Sequence, residues 1–224
     1  MTSRPAFYAL ERGGRRDYVT LLHLPYTAWH LAYVAIGAAL APTLRVDRLL
    51  WTLAAFALAL GVAAHALDEL RGRPLGTTIP SRTLVALAVV SLAGAVAIGV
   101  GAAAAWGWWT LAFVAAGGFL VPAYNLELFG GRFHSDLWFA LAWGAFPLLT
   151  AYFAQAQTLR VEAFFAAAFA VALSLAQRTL STSARAIRRD GAAGELAPVE
   201  RTLRLLAAAT CALAAALVVL RTGL

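Results

Sequence analysis

The chain has 224 residues, 62% hydrophobic and 13% charged, with a net charge of +7, whereas soluble domains hold roughly half apolar and a quarter charged residues. Its apolar residues come in continuous runs of about twenty, the length of a bilayer-crossing helix, and this excludes the alternating pattern of a β-barrel. All 18 basic residues are arginine, so no lysine can form a retinal Schiff base, and the lone Cys211 excludes an intrachain disulfide and argues against a cysteine metal cluster.

Taken in chain order, the runs predict seven transmembrane helices, at about 19–41, 49–67, 82–104, 107–123, 137–157, 161–181 and 202–221. The charged stretch ERGGRRDY precedes the first run and no small-residue cleavage site follows it, so that run is expected to stay as a helix rather than be removed as a signal peptide. Orientation follows from the arginines. Arg4, Arg12, Arg15, Arg16, Arg71, Arg73, Arg82, Arg132, Arg178, Arg185, Arg188, Arg189, Arg201 and Arg204 fall on the N-terminal side of the membrane; only Arg45, Arg48, Arg160 and Arg221 fall on the other. Fourteen against four places the N-terminus in the cytoplasm. The expectation is one all-α, polytopic transmembrane bundle over 1–224, with 1–18 a short cytoplasmic segment. It sits in the cytoplasmic membrane, and its positive charge serves the bilayer rather than nucleic acid.

The second run ends in AHALDELRGRPL (64–75), where His65, Asp68 and Glu69 follow at spacings of three and four and share one helical face. Two carboxylates side by side repel unless a cation lies between them, and hard oxygen ligands favour Mg²⁺ or Mn²⁺. The competing reading pairs Asp68 and Glu69 with Arg71 and Arg73 at the interface. The segment AYNLELFGGRFHSDLWF (123–139) adds Tyr124, Asn125, Glu127, Arg132, His134 and Asp136, with Gly130–Gly131 as a turn; Asp136 also suits an N-cap. Between 176 and 191, Arg178, Ser181, Thr182, Arg185, Arg188 and Arg189 share a helical stripe. Arginines with hydroxyls suit an anion rich in oxygens such as a diphosphate, although attraction to anionic headgroups would also place arginines here. His30, alone in a helix rich in Trp and Tyr, reads as a hydrogen-bonded structural residue.

All three polar segments lie on one side of the membrane, in alternate connections. A carboxylate pole for metal, an arginine pole for phosphate oxygens and an apolar cavity between helices describe a site for an isoprenyl diphosphate. On this reading Asp68 and Glu69 hold the metal and carry the chemistry, with His65 and Asn125 as further ligands. Arg73, Arg178, Arg185 and Arg132 bind the diphosphate, and Tyr124, Glu127, Ser181 and Thr182 line the substrate. Among Tyr26, Trp29, Tyr33, Tyr124, Trp138, Trp143 and Phe146 are candidates to face a carbocation.

The stretch HALDELRGRPL, with Arg73–Pro74–Leu75, resembles the Asp-rich motif that closes helix two in the UbiA superfamily of membrane prenyltransferases. The resemblance implies Mg²⁺-dependent binding of a prenyl diphosphate, ionisation to an allylic cation, and capture by an aromatic or other lipophilic acceptor. The sequence departs from that family in three ways. His65 stands where Asn is usual, STSARAIRRD replaces the second Asp-rich motif, and seven helices stand where nine are usual. A cyclase on the same scaffold and a non-catalytic polyprenyl-lipid carrier are the rival readings. Seven helices would also leave a tunnel open to lipid or to a second copy in a homo-oligomer.

Overall fold

The computed structural model describes residues 5–191 and 193–223; Arg4, one of the arginines counted as cytoplasmic, lies outside them. The described chain is helical, without strands: α1 (Arg15–Leu21), α2 (Leu24–Leu40), α3 (Val46–Leu70), α4 (Ser81–Trp106), α5 (Thr110–Asn125), α6 (Asp136–Ala156), α7 (Val161–Asp190) and α8 (Ala193–Thr222). Five of these, α3, α4, α6, α7 and α8, are long and apolar enough to cross a membrane. The other two apolar helices, α2 and α5, have 17 and 16 residues.

The first apolar run does not form the single 19–41 helix expected of it. Pro25 lacks an N–H and its ring opposes the carbonyl of residue 21, which disfavours an unbroken helix through it. The chain breaks at Leu22–His23, with His23 in the left-handed region (φ 46°), and α2 starts afresh with Pro25 in its first turn. The last two helices exceed expectation in the other direction, because the polar residues 182–190 and 193–201 continue the apolar turns beside them.

Short α2 lies at the centre. Val34 and Ala38 pack with Leu49, Phe56, Val121 and Trp143 from α3, α5 and α6. On its other side Trp29, Tyr33 and Ile36 pack with Leu148, Ala170 and Ala207 from α6, α7 and α8. Small residues let the backbones close: a Cβ at Gly37 would strike the backbone carbonyl of Leu148. Two buried hydrogen bonds lie there, Trp29 Nε1 donating to the Tyr33 hydroxyl at 2.8 Å and Ser174 Oγ donating to it at 3.3 Å. By contrast α4 is peripheral and turns Val85, Val89 and Val90 outward.

Two helices carry a π-helical stretch, Ala57–Ala64 in α3 and Ala140–Ala145 in α6. Each contains a glycine at a close approach, Gly61 against Thr27 and Gly144 against Ser174 and Ala170. Such insertions shift the phase of every later side chain on the helix and commonly mark functional sites.

The helices alternate in direction, so the starts of α2, α4, α6 and α8 and the ends of α3, α5 and α7 meet at one end of the bundle. At the opposite end arginines tie down free carbonyls: Arg48 donates to Ala154 O at 2.8 Å and Arg221 to Pro42 O at 2.7 Å.

Candidate functional site

At the end where α3 stops and α6 begins, a cavity of about 150 Å³ opens among α2, α3, α5, α6 and α7. Asp68 and His65 come to it from the last turns of α3, Tyr124 and Asn125 from the end of α5, and Arg178, Ser181 and Arg185 from α7. Three stretches spread along more than a hundred residues of the chain thus supply a carboxylate, two guanidiniums and a set of hydroxyl and amide groups to one space.

The arginines are held in place. Arg178 Nε donates to Asp136 Oδ1 at 2.9 Å, and its guanidinium lies over the Phe139 ring at 5.4 Å. Arg185 Nη2 donates to Thr182 Oγ1 at 2.9 Å, so the exposed Thr182 orients an arginine rather than lining the cavity. Asp136 therefore serves Arg178, and the N-cap of α6 is Ser135, whose Oγ accepts from Trp138 N at 3.2 Å. The arginine stripe of α7 divides here: Arg188 turns away to Glu200 and to Pro5 O.

The Asp68 carboxylate has no hydrogen-bond partner among the described residues and lies within electrostatic reach of His134, Arg178 and Arg185. The imidazoles near it are set by carbonyls, which can only accept: His65 Nδ1 donates to Gly61 O at 3.2 Å and His134 Nδ1 to Tyr124 O at 3.1 Å. Asn125 Nδ2 donates to Val121 O at 2.8 Å.

Several expected site residues are elsewhere. Glu69 is fully buried, and its carboxylate accepts Leu75 N at 3.0 Å, Thr77 N at 2.7 Å and Thr77 Oγ1 at 2.8 Å. Adjacent helical residues diverge by about 100°, so while Asp68 faces the cavity Glu69 faces the returning loop 71–80 and organises it. Arg73 belongs to that loop too, at φ 54°, donating to Ile79 O at 2.6 Å and Ser81 Oγ at 2.9 Å instead of to a diphosphate. The loop is secured from the other side by buried Asp17, which accepts Gly13 N at 2.9 Å, Thr78 N at 2.7 Å and Thr78 Oγ1 at 2.6 Å. Burial would push the Asp17 carboxyl up, but these donors hold it below its ordinary value of 3.8. Glu127 pairs with Arg71 at 2.8 Å on the surface, and Arg132 sits in the turn before α6; neither lines the cavity.

Among the expected aromatic residues, Tyr26, Tyr124 and Trp143 border the cavity, while Trp29 and Tyr33 are core, Trp138 packs on Phe133 and Phe146 packs with Phe56. The cavity also takes in Tyr8, His23, His30 and Gln177. Tyr8 arrives on the segment ahead of α1, edge-on to Tyr26, and its hydroxyl hydrogen-bonds with His23 Nδ1 at 3.0 Å. Desolvation pushes the Tyr8 phenol up. Burial, with His65 and His30 close by, holds the His23 imidazole well below its usual value, and it stacks on His65 with ring centroids 4.0 Å apart. Nothing in the spacing of Tyr8 or His23 announces these roles. Gln177, next to Arg178, could have been read as the inner edge of the polar stripe.

Mg²⁺ binds through one or two carboxylates supplemented by substrate phosphates and waters. Asp68 and the Asn125 amide both line the cavity. Among the described residues no group of three or more His, Cys, Asp or Glu side chains is placed to form an all-protein cage. The chain was compared with protein-family models, curated proteins and solved structures, and it matches none of them.

Proposed function

We propose that this chain is a membrane prenyltransferase, a divergent relative of the UbiA superfamily, which binds an isoprenyl diphosphate and passes its prenyl group to a lipophilic acceptor. On this reading α2 to α8 are seven spans of the cytoplasmic membrane, the N-terminus is cytoplasmic, and the cavity opens toward the cytoplasm. The observation that carries it is the meeting of Asp68, from the end of α3, with Arg178 and Arg185, from α7, around one cavity walled by aromatic rings.

In the reaction the C–O bond to the diphosphate breaks, the pair of electrons leaves with the phosphate oxygen, and an allylic cation forms. Arg178 and Arg185 neutralise the charge that develops on the leaving group, and their ties to Asp136 and Thr182 fix them before it develops. Ser181 and Asn125 supply neutral hydrogen bonds beside them. The faces of Tyr26, Tyr124 and Trp143 stabilise the cation until the acceptor attacks it and gives up a proton. A Mg²⁺ held by Asp68 would add charge neutralisation at the diphosphate oxygens. Further along α3 and α6, past Phe56 and Phe146, an apolar cavity of about 90 Å³ among α3, α4, α5 and α6 offers volume for the apolar substrates.

The test is diphosphate release by purified protein in nanodiscs from geranyl, farnesyl and geranylgeranyl diphosphates, with and without Mg²⁺ and a lipid-extract acceptor pool. Release is expected, and it falls about tenfold to a hundredfold in Arg178→Gln and in Arg185→Gln, as loss of a charge-assisted contact to the leaving group requires. No release from any of the three, under every condition, overturns the proposal.

A further inference from the structure

Among the described residues four buried side-chain polar atoms have no hydrogen-bond partner: His30 Nδ1, Tyr124 Oη, Gln177 Oε1 and Thr110 Oγ1. Three of the four line the same cavity, from α2, α5 and α7, and their residues are 6%, 5% and 3% exposed. Buried polar groups are nearly always paired, because each one left unpaired forfeits its hydration for nothing. Three orphans around a single space therefore point to a ligand that completes them.

They sit among aromatic rings set edge-on or tilted to one another. The Phe139 ring lies 5.8 Å from His30 and 6.2 Å from Tyr124, and Tyr124 is 5.4 Å from Trp143. The same Phe139 ring carries Arg178 on its face, so the orphans and the arginine pole adjoin one another across it.

The chemistry of two of these atoms selects the ligand. Gln177 Oε1 only accepts, so the ligand must bring an O–H or N–H. The Tyr124 hydroxyl donates as well as accepts, and can be matched by an oxygen lone pair. A hydroxyl is the smallest group that offers both. A carboxylate offers no donor and would set its charge against the Gln177 carbonyl. We infer that His30, Tyr124 and Gln177 form a binding subsite for the hydroxyl of a neutral, ring-bearing molecule, and that they select it over the corresponding acid and the corresponding hydrocarbon. The identification of that molecule as the prenyl acceptor rests on the proposed transferase reading; its binding does not. A cyclase, whose acceptor is a carbon–carbon double bond, would have no use for three hydrogen-bonding groups at this place.

The experiment titrates the full-length protein in nanodiscs with phenol, toluene and benzoate, following Trp143 emission, with Trp143→Phe as the control that assigns the signal. Phenol is expected to bind more tightly than toluene and benzoate, by about tenfold or more. Gln177→Leu and Tyr124→Phe should each erase that preference while leaving toluene unchanged or tighter, since each removes an orphan without removing volume. Equal affinity for phenol and toluene in the native protein, no phenol binding up to its solubility limit, or a preference that survives both substitutions would overturn the inference. The diphosphate-release assay reads the transferase proposal separately. Phenol selectivity without release leaves the subsite standing and removes the transferase; release without selectivity does the reverse.

Discussion

Glu69 and Asp68 are neighbours in sequence with opposite assignments, and exchanging each for its amide separates them. In Glu69→Gln one of the two oxygens that accept Leu75 N, Thr77 N and Thr77 Oγ1 becomes an NH₂ facing an N–H in a fully buried place. Losing one charge-assisted bond and stranding its donor costs about 2 kcal/mol. For a chain of this size each kcal/mol is worth roughly 2–4 °C, so the melting temperature should fall by about 4–8 °C. Diphosphate release per folded molecule should stay within about threefold of the native value, because Glu69 is not in the cavity lining. Asp68 has no hydrogen bond to lose among the described residues, so Asp68→Asn should melt no lower than the native protein, while release drops by about a hundredfold. Thermal unfolding in detergent, followed by circular dichroism, and the release assay on the same samples give both numbers. If Glu69→Gln melts normally and abolishes release while Asp68→Asn remains active, the assignment of the two carboxylates is reversed and the loop argument fails.

Two further outcomes follow from the packing and the loop. Gly37→Ala should destabilise by about 3 kcal/mol, read as a melting shift, because the new Cβ meets the Leu148 carbonyl and neither helix backbone can yield locally; an unchanged melting temperature would mean α2 and α6 are not so close. Asp17 has a carboxyl held below its ordinary value of 3.8, so its stabilisation is present above that pH and is lost as pH falls through the lower folded value. Native protein should therefore lose stability relative to Asp17→Asn as pH drops below about 4, with the gap between them widest near neutrality. Parallel melting curves from pH 6 to pH 3 would show that Asp17 does not hold the loop.

Much of the helical plan was legible because apolar runs, arginine placement and turn residues all bear on it. The stretches 82–104 and 137–157 lie within two residues of α4 and α6. The break at His23 was also written in the sequence, in Pro25, but a hydropathy run is blind to a missing N–H. The site was legible as a set of segments and not as a set of residues. Spacing brought Asp68, Arg178 and Arg185 toward one end. It could not tell Asp68 from Glu69, since that depends on which way the π-helical stretch leaves the final turns of α3 and on a loop that folds back to donate three hydrogen bonds. The sequence reads His30 as a hydrogen-bonded structural residue, whereas its Nδ1 is unpartnered. Pairing is a property of neighbours in space, and residues 30, 124 and 177 have no neighbourly signature in sequence. Tyr8 carries no signal of its own, because the segment ahead of α1 has only weak patterning before it packs.

The π-helical stretch in α3 has a consequence for how this chain can vary. Adding or removing one residue inside a helix turns everything beyond it by about 100°. That is also the angle between Asp68 and Glu69. A single codon lost between residues 57 and 64 would let the wide turn tighten to an α-turn and leave Asp68 on its present bearing, whereas the same loss in an α-helical turn earlier in α3 would bring Glu69 round to that bearing. Insertions and deletions are ordinarily confined to loops; here the wide turn, deep in a helix, works like a keyed joint that decides which of two acids faces the cavity.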